Sequence, residues 1–125
     1  MVEKKKLLIV DDDPYIIIAI RTLFEEEGFE VFAANSGIEC LDFLEKENFN
    51  GVILIDLMMP IMTGWETIDE IVKRGLNEKL IISVLSAKDI PNEKSNTMRY
   101  ITDYLNKPFE NNELMDKVNS YFAYE

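Results

Sequence analysis

Five residues with polar chemistry to offer come just after short apolar runs. Asp11 and Asp12 follow residues 7–10, Asp56 follows 52–55, Ser86 follows 80–85, and Lys107 comes two residues after Tyr104-Leu105. Taken singly they are ordinary. An aspartate after a strand is usually a turn residue or a helix cap, and a lone serine or lysine says less. Together they are three carboxylates, one hydroxyl and one amine. Neighbouring carboxylates repel by about 1 kcal/mol per pair at ~4 Å in water, and several-fold more at a lower effective dielectric. A fold that converges three of them needs a cation. All-oxygen ligands suit a hard ion, Mg²⁺ before Zn²⁺.

The elements between these residues decide whether they meet. Pro14 suits a first helical position with Asp13 as N-cap. Ile16, Ile20 and Leu23 then recur at helical spacing until Gly28 ends the segment. Residues 29–34 read as a second strand. Ser36 with Glu39 has the spacing of a capping box, ahead of Leu41 and Leu44 on one face. Thr63-Gly64 opens a helix carrying Ile68, Ile71 and Val72. Tyr104-Leu105 reads as a short fifth strand. Residues 110–122 form a last helix with Leu114, Val118 and Phe122 in step. Five strand–helix units with strands apolar on both faces predict a parallel sheet covered by helices, an α/β doubly wound three-layer sandwich. Function in such folds lies beyond the carboxyl ends of the strands, where the five polar residues fall.

Composition narrows the classes. The chain of 125 residues suits one domain over 1–125, and about half its residues are apolar. The net charge of −11 argues against a duplex-binding surface, which needs clustered Lys and Arg. There is no histidine, so no His-based metal site or triad. One cysteine, Cys40, cannot form an intrachain bridge. No signal peptide or membrane span is legible, and a cytoplasmic location is expected.

Asp11-Asp12, the segment Asp56-Leu57-Met58-Met59-Pro60-Ile61-Met62-Thr63-Gly64, Leu85-Ser86-Ala87-Lys88 and Lys107-Pro108-Phe109 together resemble the receiver domain of two-component response regulators, CheY-like in kind. The match runs through essentially the whole chain, in order and spacing. The resemblance implies a flavodoxin-like sheet of five parallel strands in the order 2-1-3-4-5. It implies that Asp56 is the phosphoacceptor, taking a phosphoryl group from a histidine kinase or histidine phosphotransfer protein. Asp12, Asp56 and the backbone carbonyl of Met58 would ligate Mg²⁺, with Asp11 acting through a water. Lys107 would pair with the phosphoryl oxygens. Ser86 would hydrogen-bond the phosphoryl group and pull in the loop after the fourth strand. Tyr104 would be the rotating aromatic of the switch, and a downstream protein the target. The Lys107-Pro108 bond is typically cis in the family, and Met58 and Lys88 stand where members tune dephosphorylation.

Other features have plainer readings. Trp65 and Met59 are expected to fill space. Ile16-Ile17-Ile18 cannot all enter one buried stripe, since successive helical residues point about 100° apart. One or two should be exposed or covered by the last helix. The stretch 89–102 is polar with a poor helical pattern, and Tyr100-Ile101-Thr102 replaces the family's usual Gly-Ala-Asp. A loose segment there and a Tyr104 crowded by Ile101 are expected. Two further classes compete with a protein-binding receiver: a Mg²⁺-dependent aspartyl-phosphate phosphohydrolase, and a pseudo-receiver that docks partners without phosphorylation. The first lacks a lid and a substrate domain. The second has no reason to keep all five polar residues.

Overall fold

The computed structural model describes residues 4–87 and 96–123. Five parallel strands, β1 (Lys6–Val10), β2 (Glu30–Ala34), β3 (Gly51–Ile55), β4 (Leu80–Ser86) and β5 (Ile101–Asn106), form one sheet in the order β2-β1-β3-β4-β5. The inner strands are buried on both faces, and their alternate residues supply two cores. Leu8, Val10, Ile53, Ile55, Ile82 and Val84 pack against α2 (Gly37–Lys46) and α3 (Gly64–Lys73). Leu7, Ile9, Val52, Leu54 and Leu85 pack against α1 (Pro14–Glu26) and α4 (Asn111–Tyr121). The expected three-layer doubly wound sandwich is therefore present.

Helix ends follow local chemistry. The Asp13 carboxylate accepts the Tyr15 N–H at 2.9 Å and starts α1. Past its end, the Gly28 N–H donates to the Glu25 carbonyl and the Phe29 N–H to the Phe24 carbonyl. The rings of Phe24 and Phe29 meet edge-on at 5.0 Å, the apolar contact that accompanies such a stop. The expected capping box at Ser36 is only half made. Ser36 Oγ accepts the Glu39 N–H, but the Glu39 carboxylate reaches back to the Asn35 N–H instead. The reciprocal box lies at α3. There Thr63 Oγ1 accepts from the Glu66 N–H and Glu66 accepts from the Thr63 N–H. In α1, Ile16 and Ile17 lean on the core that includes Phe122, and Ile18 is 60 % exposed.

The fourth crossover departs from expectation. Its described part is a 3-10 helix, Asn96–Tyr100, joined to α3 by a hydrogen bond from Thr97 to the Asp69 carboxylate. The rest of the segment expected to be loose lies outside the described residues. β5 is also longer than the two-residue strand expected, and its pairing slips. Ile82 pairs with Ile101, but Ser83 pairs with Asp103, so Thr102 is an extra residue. Residues three apart on a regular strand face opposite sides. The bulge resets the alternation, and Ile101 and Tyr104 both join the α3-side core.

On the opposite face, the Tyr121 hydroxyl of α4 donates to the Asp103 carboxylate at 3.0 Å, and Lys117 lies 3.7 Å from it. Burial first, and then the bond to Asp103, push the Tyr121 phenol up to about 12. A phenol raised in the folded state adds stability that is full below its unfolded value, about 10, and is lost as the pH climbs through the folded one. The difference in unfolding free energy between the wild type and Tyr121→Phe should thus shrink as pH rises from about 10 to about 12. Urea melts across that range measure it.

Candidate functional site

Sheet topology brings the polar residues together. β1 and β3 are neighbours, and both end at the same edge. The Asp56 N–H extends that ladder by donating to the Val10 carbonyl, and the Asp11 N–H donates to the Ala34 carbonyl of β2. The two aspartates thus leave the sheet side by side. Both are buried, Asp11 fully and Asp56 to 6 % exposure, while Asp12 is exposed. One carboxylate oxygen from each of the three lies within 4.8 Å of the others.

The loop after β3 is held tightly. The Met58 N–H donates to Asp56 Oδ1 at 3.1 Å, which turns the chain back over the carboxylate. The Gly64 N–H donates to the Leu57 carbonyl. A Cβ on Gly64 would run into the Asp56 carbonyl, so α3 can start this close to the site only from a glycine. Between them Ile61 takes a positive φ of 70° with its side chain 96 % exposed. Met58 is also largely exposed, whereas Met59 is buried in the α3-side core and Trp65 half-buried against it.

From the other side, Lys107 enters through a cis bond to Pro108. Its N–H donates to the carbonyl of Ser86, the buried last residue of β4. Its ammonium lies 2.5 Å from Asp11 Oδ2 and 3.4 Å from Asp56 Oδ2. The direct Asp11 pairing, across 96 positions of sequence, had no signal in the sequence. Burial, the larger influence, raises the Asp11 carboxyl above its usual range despite the bonds from Lys107 and the Asp13 N–H. Burial alone would lower the Lys107 amine, but its contacts with Asp11 and Asp56 outweigh that and raise it. The two directions agree once the charges are counted. One ammonium serves two buried carboxylates, so it gains more than either of them. With Asp12 the cluster is net −2 when fully ionised. Three carboxylates from two strand ends, rich in oxygen and short of positive charge, fit Mg²⁺ better than a softer metal.

Tyr104 sits three residues before Lys107 on β5. Its ring is 6.4 Å from that of Trp65, and its buried hydroxyl has no hydrogen-bond partner among the described residues. Burial raises that phenol. Lys88 lies outside the described residues.

Comparison with known proteins agrees with this geometry. Residues 7–119 match the family described as the response regulator receiver domain. The chain belongs to that family. It is 36 % identical over 115 residues to the transcriptional regulatory protein CpxR homolog of Haemophilus influenzae, covering 92 % of this chain and 49 % of that one. It is 33 % identical over 118 residues to the response regulator SaeR of Staphylococcus aureus, covering 91 % and 49 %. The chain thus spans about half the length of these curated relatives. Among solved structures, a CheY-like receiver domain protein from Methanospirillum hungatei superposes with a TM-score of 0.90 at 39 % identity, covering 98 % of this chain and 97 % of that one. The response regulator TrrA of Thermotoga maritima, solved in complex with Mg(2+)-BeF, gives 0.79 at 29 % identity, covering 93 % and 97 %. Receiver domains are signalling switches that bind Mg²⁺ in an acidic pocket, and response regulators work with histidine kinases and downstream targets. No helix among the described residues is long and apolar enough to cross a membrane.

Two outcomes follow from the receiver's charge imbalance. Mg²⁺ should raise the thermal midpoint, with about 2.7 kcal/mol of stabilisation at 100 times its Kd. Asp12→Ala should remove most of that increment in differential scanning fluorimetry. Lys107→Met strands two buried carboxylates and should cost about 3 kcal/mol without metal. Denaturant melts should show a smaller deficit at saturating Mg²⁺, because the ion replaces the lost charge.

Proposed function

We propose that Asp56 accepts a phosphoryl group from a phosphohistidine on a histidine kinase or histidine phosphotransfer protein, and that the modified receiver changes its binding to a downstream protein. The observation that carries this reading is the Lys107 ammonium 3.4 Å from the Asp56 carboxylate inside an acidic cluster. An Asp56 oxygen attacks phosphorus, the P–N bond to imidazole breaks, and the released imidazole takes a proton from solvent. Transfer of this kind needs in-line positioning and neutralised phosphoryl oxygens more than covalent help. Asp12, Asp56 and the Met58 carbonyl would hold Mg²⁺ directly, with Asp11 acting through a water. When bound, the ion supplies the charge neutralisation that a single ammonium cannot complete. The Met58 N–H fixes the Asp56 rotamer that faces the incoming group.

On phosphorylation Lys107 exchanges its Asp11 contact for a phosphoryl oxygen, and Ser86 Oγ donates to another. Tyr104 is the natural follower. Its buried hydroxyl has no partner to lose among the described residues, and a buried unpaired hydroxyl costs about 1–3 kcal/mol. Ser86 and Tyr104 then form the switch, biased by contacts made only to the phosphorylated form. Support for the modified state comes from the Mg(2+)-BeF complex of the Thermotoga relative. No separate substrate is turned over in this scheme. The relatives named as transcriptional regulators are about twice the length of this chain, and its net charge of −11 favours proteins over nucleic acid as direct partners.

Incubation with acetyl phosphate and Mg²⁺ should add one phosphoryl group to the intact mass. Asp56→Asn, which is nearly isosteric, should abolish the shift while keeping the thermal midpoint within a few degrees. Equal labelling of the variant would place the acceptor elsewhere, and steady release of phosphate from many equivalents would favour a phosphohydrolase.

A further inference from the structure

The sheet has a second polar end, at the amino termini of its strands and about 17 Å from the acidic cluster along β3. A cleft of about 530 Å³ opens there, between the starts of β1, β3 and β4 and the end of α4. Lys4, Lys5, Lys6 and Lys79 line it, together with the backbone of Gly51 and the ring of Phe122.

Most of the described cations outside the cleft are paired, with Lys46 and Arg99 as exceptions. With 24 acidic residues against 13 basic ones, a lysine or arginine readily finds a carboxylate. Arg21, Lys73, Arg74, Lys107 and Lys117 each have one within 4.0 Å. Among the described residues, none of the four cleft lysines does. Two of them are nevertheless held in place by neutral groups. Lys5 Nζ donates to Asn119 Oδ1 at 3.0 Å and lies over the rings of Phe29 and Phe122, at 5.7 and 5.6 Å from their centroids. Lys79, whose side chain also borders a neighbouring hollow, donates from Nζ at 3.4 Å to Asn48 Oδ1 just outside the cleft lining. An amide oxygen or a ring face positions an ammonium without cancelling its charge. Among the described residues, Glu78 is the single carboxylate in the lining. A Cβ on Gly51 would run into the Lys6 carbonyl, so the wall there is bare backbone.

We propose that this cleft binds a small soluble ligand carrying clustered phosphates, of the polyphosphate or nucleoside triphosphate class, between Lys4, Lys5, Lys6 and Lys79. Four cations with no carboxylate within 4.0 Å among the described residues match several phosphate charges, and the volume lies in the range of small-ligand sites. The concave shape suits a free ligand better than a membrane plane. The separation from Asp56 makes the site independent of phosphoryl transfer.

The test is calorimetric titration of the whole chain with sodium tripolyphosphate, in EDTA and at low salt, so that no Mg²⁺ can bridge the ligand to the acidic cluster. Saturable binding is expected. The double variant Lys5→Gln with Lys79→Gln should weaken it at least about tenfold, since each lost bond involves two charges. Lys5→Arg with Lys79→Arg should keep most of it, and so should Asp12→Ala. Raising salt to ~0.5 M should weaken binding strongly. Absence of saturable binding at millimolar tripolyphosphate overturns the proposal. So does equal affinity in the glutamine variant at an unchanged thermal midpoint. Sedimentation with phosphatidylcholine vesicles carrying phosphatidylinositol bisphosphate, without binding to tripolyphosphate, would reject a soluble ligand in favour of a headgroup.

Discussion

Two carboxylates buried side by side share one ammonium, and much of the chain is arranged to keep them so. Asp11 and Asp56 cannot move apart, because each backbone N–H continues a ladder bond into the neighbouring strand. Lys107 cannot withdraw easily, because its own N–H is tied to the end of β4. The repulsion between the acids is thus borne by the apolar cores above and below the sheet. A rigid, two-sided core is what allows an unfavourable cluster to persist at a strand edge.

The same constraint explains why the loop between Asp56 and α3 is built without slack. The Met58 N–H is satisfied by the Asp56 carboxylate itself, while the Gly64 N–H and the Thr63–Glu66 box find their partners within the loop. The helix begins only eight residues after Asp56, and its first residue packs on the Asp56 carbonyl. Position, more than reactivity, is what the protein supplies at such a site.

The five polar residues and the sheet that gathers them were legible because apolar runs buried on both faces announce parallel strands, and the polar residues fall just beyond them. What lay out of reach was whatever depended on pairing between distant segments. The extra residue at Thr102 is a matter of register between β4 and β5, and no feature of the sequence announces it. It places Ile101 and Tyr104 on one face, where simple alternation sets them on opposite ones. The Lys107–Asp11 contact is likewise a product of the finished fold. The capping boxes show the converse error. Ser36 and Glu39 had the right spacing but a different backbone course, while Thr63 and Glu66 had both.

Ile61 has a consequence of its own. A β-branched side chain at φ 70° crowds its own backbone, at a cost of roughly 1–3 kcal/mol. Being almost wholly in solvent, it regains nothing from packing. Folding stability therefore gives no reason to keep isoleucine rather than glycine or asparagine at this corner. The residue stands as an apolar projection at the rim of the acidic pocket, held out by a backbone shape that the fold, and not the residue, prefers. The apolar projection beside Asp56 thus coincides with the one non-glycine residue at positive φ among the described residues.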